Sequence, residues 1–156
     1  MAKIKPLPDG SHTVTPYLIV RNATRAIGFY REAFGAEELF RLKEPGGRIG
    51  HAELRIGDST IMLADEYPDF GALSPASIGG SPVRLHLRVD QVDAVMRRAI
   101  AAGATELRAA KDEFYGERSG MLTDPFGHQW FVATHIEDVS PEEMQRRFTK
   151  ALSSGG

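Results

Sequence analysis

The sequence predicts an α+β protein: two βαβββ modules whose curved mixed sheets surround a cavity, with one more helix at the C-terminus. Two observations predict it. The first is an internal repeat. Tyr17–Leu39 and Leu87–Leu107 follow one plan of strand, helix and strand; Val20 matches Val89, Gly35 matches Gly103, Ala36 matches Ala104 and Leu39 matches Leu107. The offset is 69 residues and becomes 68 after one deletion. Two copies of this length indicate a duplicated module and not a solenoid. The second observation is alternation. Ala52, Leu54 and Ile56 lie opposite His51, Glu53 and Arg55; Val83, Leu85, Leu87 and Val89 lie opposite Arg84, His86 and Arg88. A period of two marks strands with one apolar face.

The elements follow in order. Residues 1–12 are polar, contain Pro6 and Pro8, and read as a loose arm. Thr13–Val20 is the first strand, with Pro16 marking an edge position or a strand start. Asn22 and Thr24 are helix-capping types, and Ala26, Phe29, Tyr30, Ala33 and Phe34 follow at helical spacing until Gly35. Glu38–Leu42 is a short strand, Pro45–Gly47 a turn, Arg48–Ile56 the third strand and Ser59–Ala64 the fourth. Residues 66–81 form a linker long enough to cover a site, carrying Tyr67 and Phe70.

The second module begins with the strand Val83–Val89. A helix over 92–102 ends at Gly103, and Thr105–Ala109 is a strand. Lys111–Arg118 reads as a loop bearing Phe114 and Tyr115. Ser119–Thr123 and Gln129–His135 form a hairpin turned by Asp124-Pro125-Phe126-Gly127. Ser140-Pro141-Glu142-Glu143 starts the last helix, which runs to Leu152 before a fraying end. The whole is one domain, with modules at 13–65 and 82–135.

Composition narrows the function. With 42% hydrophobic and 26% charged residues the chain is ordinary for a globular protein, and a net charge of -2 gives no reason to expect a nucleic-acid partner. No apolar run approaches the roughly 20 residues that span a bilayer, and no leader is visible. A cytoplasmic protein without a membrane partner is the expectation. The absence of cysteine excludes disulfides, thiolate nucleophiles and cysteine metal ligands.

The paired modules, FYREAFGAE after the first strand, GDSTIML in the fourth and DPFGHQW near the end resemble the vicinal oxygen chelate superfamily of glyoxalases, bleomycin-resistance proteins, fosfomycin-resistance enzymes and extradiol dioxygenases. TPYLIV, HAELRIGD, FYGER and EDVSPEEM are similar to its PhnB-type, glyoxalase-like branch. The resemblance implies a homodimer and, in metal-dependent members, His, Glu or Gln ligands on strands one, four, five and eight. Those positions fall here on Thr15, Met62, Arg84 and Phe131, none of them an adequate ligand. No metal and no cofactor is therefore expected. The resemblance then points to a binder of a small, anionic organic molecule, as in the bleomycin-resistance branch. Two alternatives stand beside it: a lyase or isomerase, and an interaction module whose cavity is self-filled.

The candidate site residues come from the polar strand faces. His86 is a candidate general base, with Glu53 as its acid–base partner; otherwise it is a structural histidine. His51, Glu53 and His86 make a nonstandard metal site only if strands three and five converge, and otherwise form a salt-bridged face with Arg55 and Arg84. Arg84 and Arg88 suit a ligand carboxylate or phosphate, or an internal acid. Tyr17, His51, Arg55, Met62 and Phe131 are expected to line the cavity. Phe114 and Tyr115 cover its mouth or plug a hydrophobic contact. Trp130 is expected in the core; His128 and His135 have no evident partner.

Overall fold

The computed structural model describes residues 3–155. Met1, Ala2 and Gly156, the outermost parts of the expected arm and fraying end, lie outside the described residues. The chain divides into two units, with the boundary between Gly80 and Ser81.

The first unit runs β1 (Tyr17–Val20), α1 (Ala23–Phe34), β2 (Glu37–Lys43), β3 (Ile49–Ile56) and β4 (Ser59–Asp65). Its sheet has the order β1-β4-β3-β2; β1 and β4 are parallel and the other pairs antiparallel. The first strand is shorter than expected and starts after Pro16, which has no N–H for a ladder; its carbonyl still accepts from Met62 N at 2.9 Å. Asn22 caps α1 by accepting from Arg25 N at 3.2 Å, and Gly35 ends it in the left-handed region at φ 69°. Ile27, Tyr30 and Phe34 of α1 are buried, as are Leu54, Leu63 and Val20 of the sheet. The linker is not featureless: a 3-10 turn spans Pro68–Phe70 and a short helix, α2, spans Pro75–Ile78.

The second unit repeats the plan with β5 (Arg84–Arg88), α3 (Val92–Ala101), β6 (Thr105–Asp112), β7 (Glu117–Thr123) and β8 (Gln129–His135), followed by α4 (Pro141–Ser154). Its order is β5-β8-β7-β6, with β5 and β8 parallel. Val95, Met96 and Ala99 of α3 and Leu122, Trp130 and Val132 of the sheet are buried.

One expectation is corrected here. Lys111–Arg118 is not a loop: β6 and β7 extend into it, with Asp112 opposite Arg118, and only 113–116 turns. Charged, alternating residues disguised the strand. Gly116 takes φ 89° in this turn, and a Cβ there would also lie 2.2 Å from the carbonyl oxygen of Glu137. The extension brings Glu117 into the sheet, opposite His135.

Candidate functional site

On the face of the first sheet away from α1, register decides the neighbours. Tyr17 of β1 and Glu53 of β3 both sit opposite Met62 of β4, and Phe40 of β2 lies opposite Glu53. His51 precedes Glu53 by two residues and so shares its face. Its Nε2 lies 3.0 Å from Glu53 Oε2, and its Nδ1 lies 2.8 Å from the Tyr17 hydroxyl. A carboxylate only accepts, so Nε2 carries the proton; in the neutral ring Nδ1 then accepts the Tyr17 O–H. Burial first, and the Glu53 charge second, push the Tyr17 phenol above its ordinary value. The rings of Tyr17 and Phe40 lie 5.4 and 5.8 Å from the His51 ring. Tyr17 is 47% exposed, whereas the His51 and Glu53 side chains are 23% and 22% exposed. Arg55, the next residue along this face, is exposed and has no ion pair among the described residues.

The corresponding face of the second sheet places Arg84 opposite Gln129 and His86 opposite Phe131. Arg84 Nε donates to Gln129 Oε1 at 3.0 Å, and its guanidinium lies 5.7 Å from the centre of the Phe131 ring. The His86 ring is 5.9 Å from the same ring. His86 Nε2 lies 3.1 Å from Glu117 Oε2, and Arg88 donates twice to Glu117 Oε1 at 3.0 and 3.1 Å. Glu117 is 7% exposed, yet Oε2 receives no aligned hydrogen bond.

Within each unit these side chains have partners of their own. Glu53 contacts His51, and the carboxylate beside His86 is Glu117. The reason is cross-strand: β5-β8-β7 pairing carries Glu117 to the same face as His86, which sequence spacing does not display. His135 also has a partner, Asp138 Oδ1 at 2.7 Å. Phe114 packs against Phe148 of α4, ring centres 5.8 Å apart. Tyr115 lines a cleft of about 460 Å³ with Arg88, Glu117 and Met144. Trp130 is buried as expected, and its Nε1 donates to Asp124 Oδ2 at 2.9 Å.

The positions that the resemblance assigns to metal ligands do not fit a divalent ion. Thr15 lies ahead of β1, Met62 offers a thioether, Arg84 a cation and Phe131 a hydrocarbon ring. Among the described residues no three His, Asp or Glu side chains gather where they could hold a metal. Glu117 and Phe40 are the site residues that sequence reasoning missed. The only signals were the FYGER stretch, read as a loop, and the strand-two alternation, which is too short to assign a face.

The family model of the Glyoxalase/Bleomycin resistance protein/Dioxygenase superfamily matches residues 11–132. An uncharacterized protein of Mycobacterium bovis is 42% identical over 146 residues, covering 92% of this chain and 93% of its own. A crystallised gene product of Arabidopsis thaliana is similar at TM-score 0.64 and 28% identity, over 78% of this chain and 98% of that one. TioX from Micromonospora sp. ML1 is similar at TM-score 0.63 and 26% identity, over 81% of this chain and 100% of its own.

Proposed function

The chain belongs to the Glyoxalase/Bleomycin resistance protein/Dioxygenase superfamily, and we propose that it binds a small, planar organic anion without a metal. The observation that carries this reading is the cluster of His51 with the half-exposed Tyr17 and Phe40, on a strand face that also carries Arg55, which has no ion pair among the described residues. Aromatic rings offer a stacking surface, and a guanidinium without an internal acid is available to a carboxylate. The second unit supports the reading with similar chemistry, since Arg84 and His86 flank Phe131. Arg88 is a weaker contributor, because Glu117 already occupies its guanidinium.

The test is a thermal-shift titration with phenylpyruvate and phenylacetate, and with neutral phenylacetamide as control. A ligand present at 100 times its Kd stabilises by about 2.7 kcal/mol, a shift that such a titration detects. The two anions are expected to raise Tm, the amide is not, and Arg55→Gln is expected to reduce the rise. Equal shifts with anion and amide remove the role of Arg55. No shift with any of them removes the binding reading and favours a self-filled face.

A further inference from the structure

We propose that Tyr17, His51 and Glu53 form a proton relay that interconverts the keto and enol forms of a small aromatic 2-oxo carboxylate. This rests on the binding reading above and gives it a reaction. The hydrogen-bonded chain has a direction. Glu53 accepts from His51 Nε2, His51 Nδ1 accepts from Tyr17, and the Tyr17 oxygen is at the exposed end. Three strands fix it. Tyr17 and Glu53 flank Met62, so the phenol and the carboxylate approach the imidazole from different strands of the sheet. A relay held by cross-strand register needs little reorganisation when a proton moves.

The substrate class follows from the neighbours. Arg55 has no ion pair among the described residues and lies two residues beyond Glu53 on the same face, one strand repeat of about 7 Å along the sheet. It suits the substrate carboxylate. Phe40, opposite Glu53 and 44% exposed, offers a surface for an aromatic ring. What remains between them, at the Tyr17 oxygen, is the carbon next to the keto group.

The step balances without a co-reactant. The C–H bond beside the ketone breaks, and its proton goes to the Tyr17 oxygen as the Tyr17 hydroxyl proton moves to His51 Nδ1. The resulting imidazolium keeps its Nε2–H on Glu53, whose charge stabilises it. The C–H electron pair forms the C=C bond, and the carbonyl electrons move to oxygen. A proton returned along the same chain to that oxygen gives the enol and restores all three residues. Tyr17 is the catalytic residue, His51 holds the proton in transit, and Glu53 is a positioning residue that fixes the tautomer.

The experiment follows the loss of the enol absorbance of phenylpyruvate with the full-length protein in a buffer free of phosphate and borate. The relay predicts acceleration over buffer, and a fall in kcat of at least tenfold in both Tyr17→Phe and His51→Gln, since positioned acid–base groups contribute about 10²–10⁴-fold. KM is expected to stay within about threefold in Tyr17→Phe. Phe40→Ala is expected to raise KM with kcat nearly unchanged. Glu53→Gln is read by nitrogen NMR as well as by rate: the His51 tautomer shifts if Glu53 fixes it. Melting curves check that each variant folds. Should one fail, Tyr17→Trp and His51→Asn replace it. No acceleration over buffer, or an unchanged kcat in Tyr17→Phe, overturns the relay. A rise in Tm with phenylpyruvate or phenylacetate in that case leaves the binding reading standing; no rise with either removes both.

Discussion

Asp124 shows how much one side chain organises. Its Oδ1 accepts from the backbone N–H groups of Phe126 and His128 at 2.9 and 3.0 Å, and its Oδ2 accepts from Trp130 Nε1. The residue is 3% exposed, so none of these donors finds water as a ready substitute. Asp124→Ala is expected to cost on the order of 3 kcal/mol in urea unfolding, because it strands buried donors as well as losing their bonds. Asp124→Asn is expected to cost less. Sequence alone identified the Asp-Pro-Phe-Gly turn but not this side-chain role, which depends on an indole six residues away. The same limit hid the partner of His86. Residue types on a face are readable from alternation, whereas pairings across three strands need the register.

At the scale of elements, the duplication preserves a joint and changes its chemistry. Ala23 N, at the start of α1, donates to Asp65 Oδ1 at 2.7 Å; Val92 N, at the start of α3, donates to Thr134 Oγ1 at 3.0 Å. Both acceptors lie on the strand parallel to the one before the helix, and both pairs are separated by 42 residues. Beside the first joint, Glu66 organises the linker that follows it. Ser74 gives it both its hydroxyl and its N–H, Ser77 adds a hydroxyl, and Arg21 lies 3.6 Å away. The Ser74 hydroxyl first, then Ser77, hold the carboxyl at about 2 against an ordinary 4.5. A folded value below the unfolded one means stabilisation that is full above about 4.5 and lost as pH falls towards about 2. Protection of the amides of residues 66–80, taken as exchange relative to the intrinsic rate at each pH, is therefore expected to fall over that window. Glu66→Gln should already exchange faster at neutral pH, with the acid dependence reduced. An unchanged profile in the variant would assign the acid response to other groups.

For the whole molecule, the repeat and the alternation made the architecture legible: strand, helix and three strands, twice, then a helix. What they could not supply was the extent of β6 and β7, where the charged residues of Lys111–Arg118 look like a loop, and the hydrogen-bonded chain from Tyr17 through His51 to Glu53, whose first link joins residues 34 apart. Each unit has its own core. Leu54 in the first and Leu122 in the second are both fully buried. Leu54→Ala and Leu122→Ala are each expected to cost about 2–5 kcal/mol. Exchange monitored by mass spectrometry should show protection lost first in the unit that carries the change; equal loss in both units from either variant would mean that the two cores unfold as one.

The buried Trp130 sets what spectroscopy sees. It is the one tryptophan in the chain and lies in the second unit, whereas Tyr17, Tyr30 and Tyr67 lie in the first and only Tyr115 in the second. Indole emission is thus a gauge of the second unit. Phenol absorbance is weighted the other way. Recorded together on one sample, the two colours separate the halves of a duplicated protein without a label.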